Sequence, residues 1–347
     1  MLNFVATIAH DPNGNMRDPS AALQDPVSKT WHFWVDHMNG STQPGWHAFL
    51  HHYSAPAIVG PWTLQPPTPA LPHSSDPDAW DFAGSFSPSV IYEPEEKLWY
   101  LFYSASGANQ SKFKTCAQLV ASSPSPDGPW TKLGPVAVPT GSPPTWQGWN
   151  AQRLDSGRAL VIGGRKGYWT KGCTGAIGQE GLYLPHAQGS WAPPYAEAPD
   201  TNPLFPAQPW CDKGYENCEF FARPNSSELH VWCSWHGGRG KPGMPQGPAP
   251  HFIVDLKKSP LGTAWTYVGA ITPHNKSDPG PPPGEPTPVY EDGIPGDGAT
   301  VRYFIARHGV RKHRSVTDAT GPGSLAIGLY KLSWLPPAGA GHTEISE

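Results

Sequence analysis

A tryptophan-bearing segment recurs five times along the 347-residue chain at nearly regular intervals. The segments read GPWTL, GPWTKL, GSWAPP, TAWTYV and LYKLSW, and their tryptophans are Trp62, Trp130, Trp191, Trp265 and Trp334. Successive tryptophans are 68, 61, 74 and 69 residues apart, so five periods account for nearly the whole chain. Repetition at a fixed period is typical of folds that use one supersecondary unit several times.

Each period contains short apolar runs with the composition of β-strands. KLWYLFYSA (97–105) and ELHVWCSWH (228–236) are rich in aromatic and β-branched residues and are bounded by turn residues. The 44 prolines and 38 glycines exclude long helices. Each period is therefore predicted to form a four-stranded antiparallel sheet. In the third period, DSG (155–157) is expected to be the turn between an inner strand, NAQRL (150–154), and a second strand, RALVIGG (158–164).

Five such sheets arranged radially predict an all-β fold, a single five-bladed β-propeller that spans residues 1–347. The blades are expected at approximately 11–65, 80–133, 146–194, 213–268 and 285–335. NFVATIAH (3–10) is expected to add a strand to the last blade, and closing the ring in this way removes exposed sheet edges. A pair of β-sandwich domains is the competing fold, but it would not explain five nearly equal periods.

Net charge and hydropathy limit the binding partners that the chain can have, and its glycosylation sequons indicate where it is located. The formal net charge is −4, and the one basic tract is RHGVRKHR (307–314), so we expect no nucleic-acid partner. No apolar run approaches the roughly 18 residues needed to cross a bilayer, so no membrane partner is expected. Four N-x-Ser sequons favour a secreted glycoprotein, at Asn39, Asn109, Asn225 and Asn275. The opening segment MLNFVATIAH is too short for a complete signal peptide.

The five cysteines match neither a disulfide scaffold nor a zinc ribbon, because no CxxC pair occurs among them. Cys211 and Cys218 are candidates for closing a small loop. We expect no cofactor and no metal ion. His47, His51 and His52 lie on a predicted third strand, far from the channel, and metal binding by them is not expected.

The innermost strand of each blade of a propeller lines the central channel, where function is sought. The strand starts are predicted to gather five polar residues around one mouth, namely Asp18, Ser87, Asn150, Glu216 and Thr287. Two carboxylates on different blades are the minimum equipment for hydrolysis of a glycosidic bond. The tryptophans and histidines near the mouth suit a sugar, which has an apolar face and hydroxyl edges. A carbohydrate is therefore the predicted partner.

Three stretches carry a resemblance to a known group of enzymes. They read MRDPSAALQDPVSKTWHFWVDH, WDFAGSFSPSVIYEPEEKLWYLFYSA and YENCEFFARPNSSELHVWCSW. In order and spacing they resemble the five-bladed propeller glycoside hydrolases of families 32 and 43 and their relatives, which include invertases, arabinanases, xylosidases and anhydrogalactosidases. The resemblance implies that Asp18 is the nucleophile or general base and that Glu216 is the acid.

The sequence departs from that pattern in the third blade. The family has a third Asp on this inner strand, and the alignment places Asn150 there. An amide can hydrogen-bond a hydroxyl group but cannot supply negative charge to the transition state. Asp81 is a candidate substitute. Sugar-binding roles are predicted for Asn150, Ser87, Asp81, His236 and His308.

Two choices between neighbouring acids affect the site. Asp11 in HDPNG also matches the family opening, but Asp18 lies closer to His32, as a hairpin requires. Glu219 is expected to face away from Glu216, because side chains alternate along a strand, and to make an ion pair or hydrogen bond within its own blade. The alternative to an enzyme is a carbohydrate-binding propeller that lacks catalysis. A scaffold for protein interactions is a third hypothesis.

Overall fold

The computed structural model shows an all-β chain, and no residue that it describes is helical. It describes residues 2–11, 16–38, 48–106, 116–137, 154–172, 181–199, 205–206, 215–222, 226–235, 249–260, 262–271, 284–290, 296–309 and 325–332. Within these ranges there is consequently no helix long and apolar enough to cross a membrane.

The strands pair in antiparallel sets of four, in chain order. The chain begins with β1 (Leu2–Asp11). The first set contains β2 (Met16–Arg17) and β3 (Ala22–Gln24), which share one inner position, then β4 (Trp31–Met38), β5 (Ala48–Ala55) and β6 (Thr63–Gln65). The second set contains β7 (Gly84–Glu93), β8 (Leu98–Ser106), β9 (Cys116–Ser123) and β10 (Thr131–Ala137).

The later sets repeat this order. One contains β11 (Leu154–Ile162), β12 (Arg165–Gly172), β13 (Gly181–Pro185) and β14 (Tyr195–Glu197). The next contains β15 (Tyr215–Ala222), β16 (Glu228–Trp235), β17 (Ala249–Asp255) and β18 (Thr266–Ile271). The last contains β19 (Gly284–Tyr290), β20 (Gly296–Gly309) and β21 (Leu325–Leu332), and its fourth strand is β1.

The predicted contribution of residues 3–10 to the last set is confirmed. β1 pairs antiparallel with β21, from Leu2 opposite Leu332 to Asp11 opposite Leu325. A second link joins the two ends of the chain, because β19 runs parallel to β3 with Val289 opposite Ala22. The last set is thus built from both ends of the described chain.

Neighbouring sets of strands pack face to face through their side chains. Trp34 of β4 lies 6.2 Å from Trp99 of β8, measured between ring centroids, and Phe102 of β8 lies 5.1 Å from Tyr168 of β12. Leu101, Phe102 and Tyr103 are consecutive in β8 and fully buried, so both faces of this strand are covered. A strand covered on both faces reads as a continuous apolar run, which explains the composition of these segments.

The structure corrects the expected third period. DSG (155–157) is not a turn but lies inside β11, and the turn to β12 is Gly163–Gly164, with φ of 57° and 71°. The segment at 155–157 is a bulge in β11 that passes close to Tyr168 of the neighbouring strand. A Cβ on Gly157 would lie 1.9 Å from the Tyr168 hydroxyl oxygen, so this position requires glycine.

The expected pairing of Cys211 with Cys218 is wrong. Cys218 in β15 forms a disulfide with Cys233 in the neighbouring strand β16. Residue 211 lies outside the described residues. The bond joins two adjacent strands of one sheet rather than closing a short loop.

Candidate active site

The inner strands share one irregularity close to their starts. In β7, Phe86 is opposite Ser104 and Ser89 is opposite Phe102, so three steps on the inner strand match two on its partner. The same one-residue bulge occurs between Asp155 and Arg158, between Glu216 and Glu219, and between Gly284 and Thr287. We call this feature the inner-strand bulge. The first set has it too, because Arg17 pairs with Asp36 while the Ser20 amide donates to the Trp34 carbonyl.

The residues that follow the bulges form a buried group that we call the central polar ring. Its members are Ser20, Ser89, Arg158, Glu219 and Thr287, each at most 4% exposed. They occupy the same register position on successive inner strands. Each is polar in a region where neighbouring strand positions are apolar, so each needs a partner.

Contacts through this ring connect each inner strand to the next. The Ala159 amide of β11 donates to Ser89 Oγ of β7 over 3.1 Å. Arg158 of β11 donates through Nε to Glu219 Oε1 of β15. Thr287 Oγ1 of β19 lies 3.4 Å from Glu219 Oε1 and donates to the Pro19 carbonyl over 3.0 Å. The inner strands are thereby held together by polar as well as apolar contacts.

The ion pair at the centre is fully desolvated. Burial raises the pKa of Glu219 to about 7, although Arg158 and the hydrogen bond from Thr287 act in the opposite direction. Burial opposes the charge on Arg158, but Glu219 and Asp18 together hold the pKa of Arg158 above its usual value. A permanent positive charge therefore lies within electrostatic range of Asp18.

Asp18 and Ser87 occupy equivalent, strained backbone positions. Each is the first residue of its bulge, and their φ angles are 43° and 49°, in the left-handed region that non-glycine residues rarely adopt. Asp18 is half-buried and Ser87 is buried. The Ser87 amide donates to Asp36 Oδ1 of β4 over 2.7 Å, which ties the first set to the second. Such strain persists where the surrounding structure enforces it, and it clusters at functional sites.

The other predicted site residues are placed as follows. Glu216 is in β15 opposite Ser234, directly before the bulge, and His308 is in β20 opposite Ala326. Asp81 is buried and forms an ion pair with Lys132 of β10, the strand of its set most distant from the inner strand. Asn150 and His236 lie outside the described residues.

The expectation that Glu219 makes its ion pair or hydrogen bond within its own blade is wrong. The alternation on which that expectation rested is interrupted by the bulge, which puts three steps of β15, from residue 216 to residue 219, opposite two steps of β16. The ion pair of Glu219 runs to a different set, on Arg158 of β11, rather than within its own sheet.

Sequence reasoning missed two residues in β11. Asp155 directly precedes its bulge as Glu216 precedes the bulge of β15, so the two acids hold equivalent register positions on their inner strands. Arg158 was taken as the start of a separate strand. The spacing D-x-x-R in β11 and E-x-x-E in β15 carried the signal, but it becomes visible only once DSG is recognised as a bulge.

Comparisons with known proteins agree with this architecture. No protein-family model matches the chain. A probable arabinan endo-1,5-alpha-L-arabinosidase C from Aspergillus terreus is 32% identical over 127 residues, which cover 35% of this chain and 36% of that protein. The matched part therefore spans about a third of the curated relative.

Several solved structures resemble nearly the whole chain. A family 117 glycoside hydrolase from Zobellia galactanivorans superposes with a TM-score of 0.64 at 15% identity, covering 95% of this chain and 90% of that one. The arabinanase of Bacillus subtilis superposes with a TM-score of 0.56 at 15% identity, covering 95% of this chain and 97% of that one. The catalytic domain of a family 62 α-L-arabinofuranosidase from Coprinopsis cinerea superposes with a TM-score of 0.58 at 11% identity, covering 95% of this chain and 96% of that one. The resemblance to the propeller glycoside hydrolases is confirmed, and at these identities it establishes the fold.

Proposed function

We propose that the chain is a five-bladed β-propeller glycoside hydrolase that removes a terminal sugar from an oligo- or polysaccharide at the mouth of its channel. The five-blade arrangement in one domain is supported by the polar contacts that lead from each set of strands to the next and by the link from β19 back to β3. A ring of this kind places the starts of all inner strands around one opening.

One observation carries the catalytic assignment: the carboxylate-bearing positions recur beside the inner-strand bulges of different sheets. Asp18 lies in one bulge, on a strained backbone and within range of the Arg158 charge, while Asp155 and Glu216 directly precede two others. A group of acids on separate strands at one level matches the requirement of glycosidic hydrolysis.

In the proposed mechanism Glu216 donates a proton to the leaving glycosidic oxygen. Asp18 either activates a water molecule, whose oxygen bonds to the anomeric carbon as the glycosidic bond breaks, or attacks that carbon itself. Asp155 takes the role that the family gives to its third Asp and stabilises the positive charge that develops on the sugar ring. Ser87, Asn150, His236 and His308 are proposed to bind sugar hydroxyls.

Arabinan-type substrates are the first to test, because the curated relative is described as a probable arabinan endo-1,5-alpha-L-arabinosidase. We propose α-1,5-linked arabino-oligosaccharides as the substrate class, with aryl furanosides and pyranosides as further probes. A secreted location is also proposed. The disulfide between Cys218 and Cys233 supports it, since such bonds persist in oxidising compartments.

The test measures product release from these substrates by the purified chain and by Asp18→Asn, Glu216→Gln and Asp155→Asn. Each variant keeps the size of the side chain and removes its ionisable group, so turnover should fall by about 10²–10⁴-fold while folding is retained. Glu95→Gln is the matched control, because Glu95 is an exposed acid in the turn between β7 and β8. Saturable sugar binding without turnover on any substrate would instead favour the non-catalytic binding propeller.

A further inference from the structure

Three potential metal-ligating side chains gather on the side of the molecule away from the bulges. They are His32 at the start of β4, His52 in β5 and Asp127 in the turn between β9 and β10. β4 starts where β3 ends, with Trp31 opposite Gln24, whereas Asp18 lies at the other end of this inner strand. The group is therefore remote from the proposed catalytic mouth, and it bridges the first set of strands and the second.

The three side chains are close enough to share one ion. The His52 Nδ1 and Asp127 Oδ1 atoms are 3.4 Å apart, the His32 Nδ1 and His52 Nε2 atoms are 2.9 Å apart, and the potential ligand atoms all lie within 4.8 Å of one another. The two imidazoles are nearly fully buried, while the Asp127 side chain is 56% exposed. An ion held between His52 and Asp127 would thus be reached from solvent on one side.

Proton counting leaves the histidine pair incomplete in either tautomer. If His52 donates to Asp127 through Nδ1, His32 must donate to His52 through its own Nδ1. His32 Nε2 is buried with no hydrogen-bond partner in either tautomer, as a lone pair in this one and as an N–H in the other. If His52 instead donates to His32 through Nε2, the lone pair on His52 Nδ1 faces the Asp127 carboxylate at 3.4 Å. A cation bound between these two atoms would be coordinated by both of them and would remove the repulsion.

Local charge also favours a cation. The Asp25 carboxylate interacts electrostatically with both His32 and Asp127. Asp25 itself is engaged by the Val27 amide and the Ser28 hydroxyl, and it adds negative charge beside the group.

We propose that His52 Nδ1 and Asp127 Oδ1 bind a divalent transition-metal ion of the zinc type, with His32 holding His52 in the required tautomer. Two ligands at about 2.1 Å from a tetrahedral ion are about 3.4 Å apart, which is the separation in the structure. Imidazole with a carboxylate suits zinc better than calcium or magnesium, which prefer oxygen. A histidine oriented by a second side chain is the usual arrangement around such ions.

The fold contains its own control. His230 of β16 and His251 of β17 make the same ring contact, with Nδ1 and Nε2 2.8 Å apart, and each histidine holds the equivalent place in its sheet, since Trp34 is opposite His52 and Trp232 is opposite His251. The acid beside this second pair is Glu228, whose Oε2 lies 3.9 Å from His230 Nε2, the ring nitrogen that does not contact His251, and among the described residues these three side chains do not converge as a ligand group. The contact between histidines is therefore a repeated structural feature, and Asp127 is what distinguishes the proposed site.

The experiment titrates the chelator-treated full chain with Zn²⁺ by calorimetry and measures thermal unfolding with and without the ion. Asp127→Asn should bind one ion fewer per chain or bind it at least tenfold more weakly, and it should lose the Zn²⁺-dependent rise in Tm. Because Asp127 is exposed, this variant should fold. His251→Gln is expected to keep both properties of the native chain.

Three results would overturn the proposal. They are equal zinc binding by the native chain and Asp127→Asn, an equal loss in His251→Gln, and saturation by Ca²⁺ in place of Zn²⁺. The readout is ion binding, so it is independent of hydrolase activity and of the catalytic assignment.

Discussion

The Arg158–Glu219 pair is the most consequential residue contact in the structure, because both charges are removed from water. Glu219→Leu should destabilise the fold by about 3–5 kcal/mol, since it leaves the Arg158 guanidinium buried without the group that accepts its hydrogen bond. Urea unfolding measures this loss. Replacing both residues with apolar side chains should recover most of it, and a loss below about 1 kcal/mol for the single variant would contradict the role assigned to the pair.

The same carboxyl group predicts a pH dependence with a definite sign. Burial raises the pKa of Glu219 from 4.5 to about 7, so the folded chain holds a proton between these values that the unfolded chain has released. The contribution of this group to stability is therefore fully present below about pH 4.5 and is lost as the pH rises through about 7. Glu219→Gln keeps the acceptor oxygen and cannot ionise, so unfolding free energies at pH 5, 6 and 7 should show the native chain losing stability relative to this variant as the pH rises. A constant difference would contradict the shift.

At the scale of elements, composition predicted the strands and missed their register. Aromatic runs such as that of β8 are buried on both faces, so these segments can be identified as strands from their amino-acid composition alone. The inner-strand bulge does not, because one extra residue leaves composition and hydropathy unchanged. Reading DSG as a turn ended the inner strand of the third set at residue 154, whereas β11 continues to Ile162. Register depends on the partner strand and cannot be read from one segment.

The disulfide holds one of these bulges in place. Cys218 lies inside the bulge between Glu216 and Glu219, and its bond to Cys233 closes a loop with a sequence separation of 15. Replacing both cysteines with serine should lower the free energy of unfolding by about 3 kcal/mol. Unfolding with and without a thiol reductant tests this. The reductant should bring the native chain to the level of the variant and leave the variant unchanged, whereas equal effects on both would contradict the assignment.

At the scale of the molecule, the repeated tryptophan segments predicted that the sheets close into a ring. They did not predict how segments distant in the sequence pair with one another. The five tryptophan segments implied a closed array, and the pairing of β1 with β21 agrees with that expectation. The sequence held no signal for the start of β20, where Gly296 pairs in parallel with Val161 of β11 and Phe221 of β15. That segment therefore links two inner strands at their ends away from the bulges.

If pairing of β1 with β21 closes the molecule, a defect in β1 should weaken the whole fold rather than fray one end. Ile8 is buried with Val289 and Leu329 in one apolar cluster, so Ile8→Ala should lower the free energy of unfolding by about 2–5 kcal/mol. Val5 in the same strand is 44% exposed, and Val5→Ala should change it by less than about 0.5 kcal/mol. Unfolding should stay a single transition, with amide exchange accelerated in β19 and β20 as well as in β21. A separate early transition confined to β1 and β21 would mean that the strand docks on a fold that is already complete without it.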